Sequence, residues 1–384
     1  MLRKEYLAFG RPNFSAEEIS AVTRVLRSGW VGMGPETIAF EAELAQFLGS
    51  SRAVTLNSCT SGLFLSMRVA GVGPGDEVIC PSFTWCSTAD AALYLGARPV
   101  FCDIDPDTLC ADPASILAKV TPRTRAVALV HFGGLAMDVA ALRQALPASI
   151  AIIEDAAHAL GARYPDGKRV GASGNLCCFS FYANKNLSTG EGGAVALDDA
   201  ATAERLQSLR HHALPLDAWK RYSNPKTIML SNQLTELGYK MNYTDLQASI
   251  GRVQLRRQDE FAAVRQAVAA RYLEQLAELR PRIGFQRDCA GANHAKHLFV
   301  IQLPLQEMKS SREELLLGLR ARNVGASIHY DPLHTMPLYL GGRDPEHLPV
   351  TEKVAKSCVT LPISASMSLD DAGYVVESFR AVFR

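Results

Sequence analysis

The stretch AIIEDAAH, residues 151–158, decides how the rest of the chain is read. An apolar run ends in two acids, Glu154 and Asp155, and passes through small residues to His158. Such a run reads as a strand buried on both faces, and in an open α/β sheet the carboxyl ends of the strands face the ligand crevice. An acid placed there can pair with a protonated ring nitrogen. Downstream, CFSFYANKNLSTGEGG (178–193) sets Lys185 between an aromatic strand and a glycine-rich turn. A partly desolvated lysine has a lowered pKa, so its neutral amine can attack a carbonyl and form a Schiff base. An acid for a pyridinium and a lysine for an aldehyde are the two handles that pyridoxal phosphate (PLP) needs.

That cofactor also needs a phosphate cup and a ring stacker. NSCTSG (57–62) lies between a strand and an apolar helix, where free amides and hydroxyls bind anions. PSFTW (81–85) follows another strand and supplies two aromatics. Each element has a plainer reading. Ser and Thr before a helix are ordinary caps, Trp85 could be core, Asp155 could cap a helix, and Lys185 could be a solvated surface charge. Four such elements, each at a strand end and in compatible order, favour the cofactor site.

Further outward, short apolar strands alternate with helices. Strands are expected at 53–56, 77–80, 98–104, 126–131, 150–155, 176–181 and 193–197, with helices at 61–70, 87–95, 113–119, 138–146 and 200–209. Before them, SAEE (15–18) is a capping box opening one helix, and a second runs over 36–48. The alternation predicts an α/β layer over 13–250, a mostly parallel central sheet sandwiched by helices. Residues 244–279 read as one long amphipathic helical region leading to a smaller α+β unit, 251–384, with which residues 1–12 pack. In that unit 297–303 and 325–329 read as strands, 311–322 and 369–383 as helices, and 331–349 as loops.

Composition limits the alternatives. The 384 residues are 48% hydrophobic and 21% charged, with 40 basic against 39 acidic side chains. A net charge of +1 gives no footprint for nucleic acid or an anionic membrane, and bulk disorder is excluded. Nine cysteines, an odd number without a C-x-x-C pair, several in strand-like runs, read as reduced core thiols. With no signal peptide or spanning segment in view, the expectation is a cytoplasmic protein. No metal site is expected: His211 and His212 are adjacent and cannot share a helix face as zinc ligands would. The glycines of GVGPG (71–75) precede a strand, so they read as a turn and not as a dinucleotide fingerprint. The basic residues between 252 and 257 read as a solvated helix face.

With these motifs in hand, the chain resembles the DegT-like family of nucleotide-sugar aminotransferases, which are fold-type I PLP enzymes related in fold to aspartate aminotransferase. The resemblance runs from about Pro12 to the C-terminal helix. It rests on GWVGMG (29–34), GPGDEVI (73–79), EDAAHA (154–159), FSFYANKN (179–186), GEGG (190–193), GYKMNYTDLQA (238–248) and HYDPLH (329–334). It implies that Lys185 carries the cofactor and shuttles the proton, and that Asp155 holds the pyridine nitrogen protonated. His158 would lie near the ring hydroxyl, Trp85 would stack, and Cys59, Thr60 and Ser180 would bind phosphate. Cys59 stands where relatives more often have Gly in a Ser-Gly-Thr motif; contact through backbone amides would tolerate it. Asn242 and Lys240 would reach the site of a neighbouring subunit, implying a homodimer with shared active sites, and His329 and Tyr330 are substrate-site candidates. Lys240-x-Asn242, where many relatives have Gly-x-Asn-x-Arg, looks like the branch of UDP-4-amino-4-deoxy-L-arabinose aminotransferases, as do HLFV (297–300) and DAWKR (217–221). The implied reaction is amination of a nucleotide-linked sugar at a 4-keto group, with L-glutamate as donor. Two alternatives share the fold. Sugar dehydratases replace the lysine with His, so Lys185 argues against them; a catalytically idle sensor is disfavoured by an intact Lys185, Asp155 and Ser180. A nicotinamide oxidoreductase lacks its glycine fingerprint.

Overall fold

The computed structural model describes residues 2–214, 234, 236–280, 282–288, 291–342 and 344–383. Seven strands form the central sheet: β1 (Arg52–Leu56), β2 (Glu77–Pro81), β3 (Arg98–Cys102), β4 (Thr124–Val130), β5 (Ala151–Asp155), β6 (Leu176–Ser180) and β7 (Gly193–Leu197). Their order is β1-β7-β6-β5-β4-β2-β3. The run β3-β2-β4-β5-β6 is parallel, while β7 lies antiparallel to both β6 and β1. All seven expected strands are present. Their apolar runs lack alternation because both faces are covered: Val78, Ala126 and Ile153 bury into one core, and their neighbours Ile79, Val127 and Ile152 into another.

The helices α1 (Ala16–Ser28), α2 (Pro35–Leu48), α3 (Cys59–Val69), α4 (Ser87–Leu93), α5 (Pro113–Ala118), α6 (Val139–Ala145) and α7 (Ala200–Leu209) flank this sheet. The capping box at Ser15 and Glu18 starts α1 as its sequence predicts. The GVGPG segment is the expected turn, with Gly71 and Gly75 at positive φ.

The long helical region over 244–279 is a correction. It divides into α8 (Asp245–Arg256) and α9 (Gln258–Gln275), followed by a short 3-10 turn at Ala277–Leu279. The break at Arg257 has a side-chain cause. Its guanidinium is held by the carbonyl and side-chain oxygens of Asn13 and by Glu18 and Glu260, and Gln254 reaches the same Asn13 carbonyl and Glu18. The change of direction lets α8 pack on α1 and α2, while α9 packs on α13 (Leu369–Val382). Of the basic residues here Arg256 is exposed, but two depart from a solvated face: Arg252 is ion-paired to Glu36 and Glu43, and Arg257 to Glu18.

A second sheet, in the order β10-β9-β8, contains β8 (Gly284–Phe285), β9 (Phe299–Gln302) and β10 (Cys358–Leu361). The strand expected at 325–329 does not form. Val324 and Ser327 make isolated bridges to Leu7 and Thr360, so the segment is shared between two partners instead of continuing along one. The remaining helices are α10 (Arg312–Ala321), α11 (Pro337–Leu340) and α12 (Pro349–Ser357). The last two fall within or beside the region read as loops. Leu7 joins the core of α9, α10, α13 and this sheet, and Arg3 pairs with Asp371. Among the described residues, no helix is long and apolar enough to cross a membrane.

Candidate active site

At the carboxyl ends of β1, β2, β5 and β6 lies a cavity of about 430 Å³. Nine of the eleven residues singled out by sequence line it: Cys59, Thr60, Trp85, Asp155, His158, Ser180, Lys185, His329 and Tyr330. Chain segments far apart in sequence converge there because parallel strands deliver their carboxyl ends to one edge. β7 runs the other way, so its first residue, Gly193, sits at this same edge. A Cβ on Gly193 would lie 2.5 Å from the Cys59 amide nitrogen, so glycine is what lets the first turn of α3 approach the strand.

Asp155 closes β5 and is 5% exposed. It accepts hydrogen bonds from Thr88 Oγ1 (2.7 Å) and from the Ala157 amide (3.1 Å). Burial leaves its carboxyl raised above the ordinary value, a rise that these two donors and the Lys185 charge reduce without cancelling. Burial draws the Lys185 amine down to about 8, against the opposing pull of Asp155. His158 is held well below 6.5 by burial and by the Lys185 charge, so it is neutral. It stacks on His297 with ring centroids 4.6 Å apart, and Tyr330 lies 3.2 Å from its Nε2. His329, drawn down to about 3 chiefly by burial, faces Thr360 through Nδ1 (3.0 Å).

Ser58 caps α3 by accepting from the Ser61 amide, leaving the amides of the first turn directed at the cavity end of the helix. The Cys59 thiol faces inward, 3.7 Å from the Cys178 carbonyl oxygen, so only its backbone is available to an anion. Trp85 stands at the mouth, 61% exposed, with its ring 6.0 Å from that of Tyr330. Lys240 and Asn242 do not line this cavity. Lys240 is exposed and bridges to His211, and Asn242 donates to the Tyr243 carbonyl. The DAWKR motif lies outside the described residues.

A family model of DegT/DnrJ/EryC1/StrS aminotransferases matches residues 12–380. The chain belongs to this aminotransferase family. The spore coat polysaccharide biosynthesis protein SpsC of Bacillus subtilis (strain 168) is 40% identical over 387 residues, covering 100% of this chain and 98% of SpsC. Among solved structures, DesV of S. venezuelae is 36% identical with a TM-score of 0.86, covering 95% of this chain and 94% of DesV. Spr1654 of Streptococcus pneumoniae, assigned as a sugar aminotransferase and solved in a PLP form, is 27% identical with a TM-score of 0.88, and 98% of each chain is covered. The chain is thus a sugar aminotransferase with the fold of PLP-dependent enzymes.

The residues present in this aminotransferase fit PLP. A buried amine of lowered basicity, a carboxylate kept in place by two donors and a helix N-terminus with free amides are the three groups it requires. His158 Nδ1 adds a buried polar atom with no hydrogen-bond partner among the described residues.

Sequence reasoning missed Thr88, Asn186 and His297. Thr88 lies in the first turn of α4 and carries no motif; it meets Asp155 only because β2 and β5 both neighbour β4. Asn186, next to Lys185, donates through Nδ2 to the carbonyls of Leu160 and Ala295, and its Oδ1 accepts from His297 Nδ1 (3.1 Å). Its place beside the lysine was the available signal.

Proposed function

We propose that this aminotransferase converts the 4-keto group of a nucleotide-linked sugar to an amine, using L-glutamate as donor and PLP as cofactor. The observation that carries the reading is Lys185: a buried amine of lowered basicity beside a buried carboxylate, at the sheet edge where ligands bind. Bound PLP supplies an electron sink that makes the carbon bearing the nitrogen acidic.

The chain's own residues do the rest. Lys185 Nζ takes the proton from the α-carbon of the amino donor and, in the second half-reaction, returns one to the sugar carbon that receives nitrogen. Asp155, held by Thr88 and Ala157, keeps a ring nitrogen protonated by remaining ionised beside it. His158, neutral at physiological pH, offers a hydrogen bond to the ring hydroxyl without adding charge. Trp85 covers one ring face. The amides of Cys59 and Thr60 and the Ser180 hydroxyl hold the phosphate. His329 and Tyr330, which also line the cavity, are placed for the sugar. Asn242 and Lys240 act in the site of the second subunit of a homodimer, which accounts for their position away from this cavity. Cys80, Cys102, Cys177 and Cys178, buried thiols outside any disulfide, suit a reducing cytoplasm. The C4 assignment rests on the resemblance of the Lys240-x-Asn242 segment.

A panel of UDP-, TDP- and GDP-linked keto sugars with glutamate, scored for the aminated carbon, tests this. Turnover at C4 with a ping-pong pattern is expected. Amination at C3, or cofactor binding without turnover of any sugar, would overturn the substrate assignment. A colourless protein, with no borohydride-trapped group on the Lys185 peptide, would overturn the cofactor assignment.

A further inference from the structure

The first two turns of α9 and the hairpin 163–169, with Asn186, the residue after Lys185, line a second cavity of about 230 Å³. Three arginines line it, Arg163, Arg169 and Arg265, against one carboxylate, Asp259. Arg265 is 3% exposed, its Nε has no partner, and Nη1 donates to the Ile363 carbonyl at 3.2 Å. Among the described residues no carboxylate pairs with it, and burial alone draws its guanidinium down to about 10, so it remains charged at neutral pH. A neutral carbonyl does not offset a buried charge, and buried charges are as a rule paired.

The other two arginines add to the imbalance. Arg163 and Arg169 stand directly opposite one another across an antiparallel bridge, a like-charge placement that is unfavourable on its own. The Arg169 guanidinium lies 3.9 Å from the centre of the Phe47 ring, which holds it at the cavity, and burial, followed by the Arg163 charge, lowers its basicity. Arg163 is exposed and donates through Nη1 to the Gly167 carbonyl (2.8 Å), so Arg265 and Arg169 supply the held guanidinium groups and Arg163 adds charge at the rim, a set that fits the planar, multidentate recognition of an oxyanion.

We propose that this cavity is a binding site for a small oxyanion, phosphate or a short carboxylate, distinct from the phosphate cup of the active site. Gln258, in the wall of the cavity, donates to the Asn186 carbonyl, so an occupant bears on the segment that follows Lys185.

The test uses PLP-loaded protein, in which the active-site cup is filled. Phosphate and succinate are titrated separately by calorimetry at constant ionic strength, with chloride as control, and crystals are soaked in selenate to locate the anion by its anomalous signal. Binding of phosphate or succinate, but not chloride, is expected, with a selenate peak against Arg265. Arg265→Gln should weaken that binding at least about tenfold and Arg169→Gln about threefold, as loss of charge-assisted hydrogen bonds implies. Arg169, partly exposed, gives a variant that folds even if Arg265→Gln does not. Absence of binding, equal binding of chloride, selenate found only elsewhere, or unchanged affinity in Arg169→Gln would each overturn the proposal.

Discussion

Lys185 has lost its water before any ligand arrives, and that sets its chemistry. With an ordinary value of 10.5 about one amine in 3,000 is neutral at pH 7; at about 8 it is about one in ten. The neutral form is the nucleophile, so reconstitution of cofactor-free protein with PLP should speed up about tenfold per pH unit below 8 and level off above it. Stopped-flow absorbance across pH 6–10 checks this; a rate still climbing between pH 9 and 10 would contradict the lowered basicity. Thr88 gives a second prediction at this scale. Thr88→Val removes a hydroxyl donor from the Asp155 carboxylate, and a lost hydrogen bond to a charged group corresponds to about tenfold in kcat with little change in KM. Steady-state kinetics, with a circular dichroism spectrum showing the fold intact, separates this from a general loss of structure. The sequence made Lys185 and Asp155 legible because their chemistry is carried by residue type. Thr88 was not legible, because a threonine in the first turn of a helix is the most ordinary of caps.

At the scale of elements, Asp245 is where two motifs meet. α2 begins at Pro35 behind Gly34, which has no side chain with which to cap it. The cap comes from α8 instead: Asp245 accepts from the amides of Gly34 (2.8 Å), Glu36 (3.2 Å) and Thr37 (2.9 Å) and from Thr37 Oγ1 (2.7 Å). One buried carboxylate thereby joins the GWVGMG turn to the segment containing Lys240 and Asn242. Asp245→Ala should lower stability by about 3 kcal/mol, the loss of several charge-assisted hydrogen bonds with donors left buried. Urea unfolding measures it, and a change below about 1 kcal/mol would show that water replaces the cap. Periodicity found both helices, since each buries one face. It could not find the cap, which comes from 211 residues away, nor the break at Arg257, which depends on side chains reaching Asn13 and Glu18.

For the whole molecule, the position of Asn242 makes a sharp expectation. Lys185→Ala and Asn242→Ala should each be inactive alone if both residues serve one site. Mixed in equal amounts and allowed to exchange subunits, they should recover about a quarter of wild-type activity, since in the proposed homodimer half the dimers would be hybrids with one intact site each. A mixture that stays inactive after exchange is shown to be complete would place Asn242 in the site of its own chain.

Taken alone, the order of residues determined the alternation of strands and helices and the chemical identity of the central groups. Burial on two faces writes itself as unbroken apolar runs, and a lysine and an aspartate, each following such a run, are the groups that the proposed site requires. Tertiary structure decided what depends on adjacency across the sheet: that β7 reverses and brings Gly193 against α3, that Thr88 meets Asp155, and that residues 325–329 divide their bonds between Leu7 and Thr360. It also decided that three arginines from two distant segments face one small cavity. Those outcomes rest on distances between parts far apart in the chain, and no local pattern of residues encodes a distance.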